Sequence, residues 1–419
     1  MIDEYLFHST IDEEENIIAT YFVESNDMLK AVKAIAIGQS IGNPDIRTQR
    51  DSPEILKRNM GKILNTKSNL KSVHKGLIKI AYPLINWDSE EDGITQLLCT
   101  LMGGQMDIDI IHSCKLMEID LPNKFLKAFK GPKFGMQNIK ERAKAINRPL
   151  LGGIVKPKTG MTIDQLKELV MELLRGGVDF VKEDEILGNP SFCNFKERVE
   201  VISNMVNDFC DKEGREVFYT PCINSDYPYF LDRARFADEH GIRAVHINIW
   251  AGFPAYRALR DLDMKNTGIF FQKSGDKVIT GTNHMYNIDW NVVCQLARIM
   301  GCDFIHAGMW GGYLSDSKEN LTRVMNSLRS KSQFNDTVPS LSCGSHPGLV
   351  NTTIKNFGTD LMMNVGGAIQ GHPMGTESGA KAMRQAFDCA TKGENINEYM
   401  SDKPELKAAI EKWGVANND

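Results

Sequence analysis

From Arg148 onward the chain repeats one theme eight times: a short apolar run, a loop of Gly, Pro, Ser and charged residues, and then, in most repeats, a helical stretch. The runs fall at residues 150–155, 178–182, 217–223, 244–249, 268–271, 303–306, 338–342 and 361–365. Continuous apolar runs of this length suit parallel strands buried on both faces. Eight strand and helix units in about 240 residues favour closure into a (β/α)₈ TIM barrel over an open doubly wound sheet. The expected class is α/β, with a barrel domain at 148–419 that carries a C-terminal helical extension over 395–413.

Residues 1–147 lack that rhythm. Strand patterns at 17–23, 76–83 and 108–119 alternate with helical patterns at 26–37 and 92–102, the order of an α+β, ferredoxin-like domain with helices on one face of a sheet. Residues 38–43 read as a loop, and 45–69, polar and basic without periodicity, as a solvated surface segment. The GPKFG at 131–135 is a joint before a helix at 139–146.

A net charge of −5 and no basic tract interleaved with aromatics give no reason to expect nucleic acid or an anionic membrane as partner. The N-terminal MIDEYLFHSTIDEEEN is acidic and unlike a signal peptide, and no apolar run reaches the roughly 18 residues of a membrane span. Nine cysteines without a CxxC pair suit buried thiols in a reducing compartment, so a cytoplasmic protein is expected.

In a barrel of this kind the chemistry collects where strands end. The second run ends in GGVDFVKEDEILGNP, residues 176–190, and alternation along a strand points Lys182 and Asp184 one way and Glu183 the other. A buried amine held partly neutral can add carbon dioxide. Its carbamate, with Asp184 and Glu185, would present three anionic oxygens, the hard ligands Mg²⁺ prefers. The same residues would also suit an exposed turn of solvated charges. After the first run, IVKPKTG places Lys156 and Lys158 on one side of an extended segment, where mutual repulsion would lower an amine pKa. The sixth run ends at His306 before a glycine-rich loop able to close over a substrate. SLSCGSHPG after the seventh offers amides at Ser342 and Gly344, and NVGGAIQGHPMG after the eighth offers Gly366 and Gly367, the places where barrels often hold phosphate.

These motifs, in this order and over nearly the whole chain, resemble the ribulose-bisphosphate carboxylase (RuBisCO) large-subunit superfamily, including its non-carboxylating RuBisCO-like members. The resemblance implies a carbamylated Lys182 with Asp184 and Glu185 as Mg²⁺ ligands, and Lys156 and Lys158 as the catalytic lysine pair. It implies His306 at the sixth strand and Ser342, Gly344, Gly366 and Gly367 as substrate and phosphate contacts. The implied chemistry is proton abstraction beside a carbonyl of a phosphorylated sugar-like substrate. A homodimer or assembly of dimers follows, because the family's sites combine one subunit's barrel with another's N-terminal domain.

Departures from the carboxylating members are as informative. Their lysine in the loop after strand six is replaced by Gly312 or Tyr313; a glutamate and a threonine by Gly38 and Asn43; an asparagine by Gly104. A His-Arg pair after the fifth strand gives way to Gln272 and Lys273, with Lys273 a phosphate contact and His284 able to fill part of the role. The enolase branch of methionine salvage carries a lysine base where MGGQ at 102–105 has none. The expectation is therefore a Mg²⁺-dependent isomerase, enolase or decarboxylase of a phosphorylated ketose, for example of the methylthioribulose-phosphate type, or of a phosphorylated 3-oxo acid. The alternatives are an atypical carboxylase and a non-catalytic barrel.

Overall fold

The computed structural model describes residues 2–43, 45–46 and 48–416 and divides into two compact units. One is Met1–Lys130 with Gly275–Leu296; the other is Gly131–Ser274 with Ala297–Asp419.

The first unit is built on a five-stranded sheet, in the spatial order Tyr286–Ile288, Ile111–Asp120, Asn16–Ser25, Lys75–Pro83 and Lys62–Ile63. Asn16–Ser25, buried at nearly every position, pairs antiparallel with a long strand on each side. Tyr286–Ile288 runs parallel to Ile111–Asp120 at the edge, an addition that no apolar run announced. Helix Met28–Gly38 starts where the Asp27 carboxylate accepts from the Lys30 amide at 3.0 Å.

The 45–69 stretch is more ordered than its composition suggests, although Pro44 and Arg47 lie outside the described residues. Ser52 caps helix Pro53–Asn59, whose first residue is proline. Strand Lys62–Ile63 then joins the sheet, and Thr66 caps helix Lys67–Ser72.

The second unit is the expected barrel. Its parallel strands are Leu150–Ile154, Phe180–Lys182, Phe218–Thr220, Ala244–Asn248, Gly268–Gln272, Phe304–Gly308, Val338–Leu341 and Met362–Val365. A bridge between Cys222 and His246 brings the third strand to the fourth and closes the ring. Its floor is aromatic, Phe180, Phe218, Phe270 and Phe304 packing with Leu150, Ala244, Val338 and Met362. The Phe180 and Phe304 rings lie 5.0 Å apart. Burying each such ring stabilises the fold by about 2–3 kcal/mol, so the barrel is a filled core and not a pore. Helix Ile163–Arg175, with a Thr162/Gln165 capping box, lays Leu166, Leu169, Val170, Leu173 and Leu174 inward.

The helix after the joint is Met136–Arg142, earlier and shorter than the 139–146 pattern; Lys144, at a φ of 53°, leaves the helical region and stops it. The tail is helical at Ile396–Tyr399 and Pro404–Trp413. Among the described residues no helix is long and apolar enough to cross a membrane.

Candidate active site

Strand Phe180–Lys182 sends Phe180 and Lys182 into the barrel. Lys182 is 2% exposed, and its Nζ donates to the Glu183 carbonyl at 2.8 Å and lies 3.5 Å from Glu185 Oε2. Burial pushes its amine pKa below the ordinary lysine range, against the pull of Glu185 and Asp184.

Glu183 faces the other way and is wholly buried. Arg198, from helix Phe195–Glu213, meets its two oxygens at 2.9 and 3.1 Å, the Cys222 amide donates at 2.8 Å, and the Tyr219 hydroxyl donates as well. The carbonyls of Cys193, Leu187 and Gly188 also accept from the guanidinium. Glu183 is thus an anchor that fixes the turn on which Asp184 and Glu185 stand. Arg198 and Tyr219 were not singled out in the sequence; Arg198 lies in a helix whose other inward residues are mostly apolar.

Asp184, 2% exposed, accepts from the Lys156 amine at 2.7 Å. For the Glu185 carboxyl, burial acts upward, but the Lys182 charge, hydrogen bonds from the backbone and Ser274, and the Lys158 charge outweigh it and hold the pKa at about 2. Asn224 fixes the turn from the third strand's end, its amide donating to the Glu185 carbonyl at 2.7 Å. Among the described residues no three His, Cys, Asp or Glu side chains form a metal cluster. A buried Asp184 and a partly buried Glu185 beside a buried lysine of lowered basicity are, however, a donor set that a carbamate on the lysine would complete.

The Lys156/Lys158 pairing differs from expectation. Residues 156–159 form a bend, with Lys156–Pro157 in cis, so the alternation of an extended strand does not apply. Lys156 reaches inward to Asp184 while Lys158 is exposed. Gln370 sets the bend by accepting from the Lys156 amide at 2.7 Å and donating to the Ile154 carbonyl.

On the opposite wall, His306 Nε2 and Ser342 Oγ are 2.7 Å apart. Burial, with the charges of Lys273 and Lys182, holds the imidazole pKa down to about 3, so it is neutral at physiological pH. The Ser342 amide, expected to be open, is spent on the Gly308 carbonyl at 3.2 Å, and its hydroxyl faces His306. Gly366 lies beside the Lys156 stem, and a Cβ on Gly367 would meet no atom within 4 Å, so that backbone is open to approach. Lys273 is buried at the end of the fifth strand.

The loop after the sixth strand is tied at its ends. The Met309 amide donates to the Asp316 carboxylate at 2.9 Å, and the Asp316 amide to the Met309 carbonyl at 2.9 Å. Trp310 packs edge-on against Phe357. A Cβ on Gly312 would stand 2.5 Å from the Cys343 carbonyl oxygen, so that position has no room for a side chain.

With this geometry in view, residues 135–413 match the family described as ribulose bisphosphate carboxylase large chain, catalytic domain, and residues 4–125 match its N-terminal domain. The chain belongs to the RuBisCO large-chain family. Relatives within it differ in activity. The ribulose bisphosphate carboxylase of Pyrococcus furiosus is 32% identical over 406 residues, covering 96% of this chain and 94% of that protein. The 2,3-diketo-5-methylthiopentyl-1-phosphate enolase of Geobacillus kaustophilus is 28% identical over 417 residues, covering 95% and 98%. The octameric Rubisco of Pyrococcus horikoshii superposes with a TM-score of 0.90 at 29% identity, covering 100% of this chain and 97% of that one. RuBisCO-family membership accounts for the barrel and for the order of the strand-end motifs.

Proposed function

We propose that this protein is a non-carboxylating, RuBisCO-like enzyme that enolises a phosphorylated ketose or phosphorylated 3-oxo acid with the help of Mg²⁺. The observation that carries the reading is the gathering of Lys182, Asp184, Glu185 and Lys156 at one end of the barrel. A carbamate on Lys182, with Asp184 and Glu185, would hold Mg²⁺, which when bound stabilises negative charge developing on a substrate oxygen. Lys156 moves the proton on the carbon beside the carbonyl, its amine already held in the site by Asp184. Neutral His306 holds the Ser342 hydroxyl toward the substrate. Lys158, Lys273 and the backbone at Gly344, Gly366 and Gly367 take the phosphate. A homodimer, or an assembly of dimers such as the octamer of the Pyrococcus horikoshii relative, is the proposed state.

Against carboxylation stands the loop after the sixth strand, which carries Tyr313 and no lysine, and in which Gly312 is pressed against the Cys343 carbonyl. The second reading, a true carboxylase, is favoured by what the Pyrococcus furiosus relative is. The test is exchange of substrate C–H protons with D₂O by NMR, with Mg²⁺, bicarbonate and a panel of phosphorylated ketoses and 3-oxo acids. Exchange that needs Mg²⁺ and vanishes in Lys182→Met is expected. Carbon dioxide fixation dependent on ribulose bisphosphate would establish the carboxylase instead, and bound metal without exchange on any compound would count against both.

A further inference from the structure

Lys182 does not stand alone at its height in the barrel. Inward side chains of a (β/α)₈ barrel form layers of four from alternate strands, because the register climbs one residue per strand. The observed pairings allow the layer of Lys182 to be followed round the ring. Lys182 pairs with Thr220, and two residues on, Cys222 pairs with His246. His246 pairs with Phe270 and Phe270 with Phe304, two residues below His306. His306 pairs with Ser340 and Ser340 with Met362, two residues below Asn364. Asn364 pairs with Gly152 and Gly152 with Phe180, two residues below Lys182. The layer is therefore Lys182, His246, His306 and Asn364, and it closes on itself.

Two members have no part in the site described so far. His246 is 0% exposed and Asn364 2% exposed. The Asn364 Oδ1 and both ring nitrogens of His246 lack a partner in good hydrogen-bond geometry among the described residues, with the Glu183 backbone acting on the His246 ring at longer range. Buried polar groups in native proteins are almost always paired, so two adjacent exceptions flanking one lysine ask for a common partner. The strand between Asn364 and Lys182 presents Gly152, where a Cβ would fall 2.5 Å from Asn364 Oδ1; no side chain separates the two residues there.

Resting on the reading of Lys182 as the carbamylated ligand, we propose that His246 and Asn364 are positioning residues for the head group of Lys182. When the amine adds to carbon dioxide, the N–C bond forms, one C=O electron pair moves to oxygen, and one N–H proton leaves to solvent. The product has an anionic carboxylate and a single N–H. The His246 N–H is the donor the first requires, and the Asn364 Oδ1 the acceptor the second requires. The pair thereby favours the carbamate over the free amine before metal arrives and orients it when metal is bound, as outer partners of metal ligands do.

The test uses the full chain with ¹³C-bicarbonate and Mg²⁺, following the carbamate carbon by NMR as carbon dioxide is titrated, with Lys182→Met to assign the signal. His246→Phe and Asn364→Leu are expected to raise the half-saturating carbon dioxide about 10- to 100-fold. His246→Gln, which restores a donor and preserves polarity, should recover most of that loss. Ser340→Ala is the control. Its hydroxyl is also buried and unpartnered, but it belongs to the layer below, with Gly152, Thr220 and Phe270, so wild-type half-saturation is expected. Wild-type half-saturation in Asn364→Leu and in His246→Phe, or in His246→Leu should the phenylalanine variant not fold, would overturn the positioning role alone. A wild-type protein with no carbamate at all would overturn the underlying reading of Lys182.

Discussion

The second barrel strand has two ends, and the molecule treats them oppositely. Just before it, Asp179 is fully buried and saturated: Arg148 meets its two oxygens at 2.5 and 2.8 Å, the Leu151 amide donates at 2.9 Å, and Arg215 stands within 3.5 Å. Asp303, before the sixth strand, is held the same way by the amides of Lys133, Phe134 and Ile269 at 2.8, 2.9 and 3.0 Å. At the far end of the second strand, three residues on from Asp179, Lys182 has one carbonyl at 2.8 Å and a carboxylate at 3.5 Å, and two of its layer mates carry unpartnered polar atoms. Buried polar groups serve stability where every bond is made. They are available for chemistry where bonds are left open.

The contrast can be broken from either end. The largest expected effect is at the saturated end: Asp179→Asn leaves partly buried arginines without their buried carboxylate and should cost about 3 kcal/mol in urea unfolding, while the Lys182 carbamate still forms in the folded fraction. Loss of the carbamate along with stability would show that the two ends are not separable. At the open end, Lys156→Met should lower turnover at least about 100-fold with little change in the unfolding midpoint, because among the described residues its amine meets Asp184 alone, on a half-buried stem. Full turnover in that variant would remove Lys156 as the proton carrier.

The smallest effect sharpens the comparison through pH. The folded His306 binds its proton only near pH 3, whereas the unfolded chain binds it near 6.5. Between those values the unfolded state holds more protons, so the contribution of this group is full above about pH 6.5 and is lost as pH falls toward 3. In His306→Gln that part of the pH dependence of thermal stability should flatten; an unchanged slope would show that the imidazole is not held neutral.

The barrel was legible because parallel strands buried on both faces must be apolar throughout, and all eight runs became strands. The charges of Lys182, Asp184 and Glu185 stood out against the apolar run they end, but not their burial: Lys182, Glu183 and Asp184 are enclosed and partnered, where an exposed turn was the alternative. What escaped were short or locally disguised elements. Tyr286–Ile288 is a three-residue edge strand with little burial pattern to read. Helix Pro53–Asn59 has a start signal in Ser52 before Pro53, but the polar residues around it carry no apolar period to mark a helix. His246 and Asn364 lay within runs taken as apolar, and only the register shows that they share a layer with Lys182. The bend at Lys156–Pro157 depends on Gln370, more than 200 residues away along the chain.

The edge strand Tyr286–Ile288 has a consequence for how the protein is made. Its neighbour in the sheet is completed early in synthesis, yet the Met285 carbonyl that receives the Ser113 hydroxyl emerges from the ribosome 172 residues later. Through that interval the backbone of Ile111–Asp120 is an open edge, able to pair with any passing strand. The first unit can finish its sheet only after five of the eight barrel strands have been translated, so its maturation is tied to the barrel's by the order of the message itself.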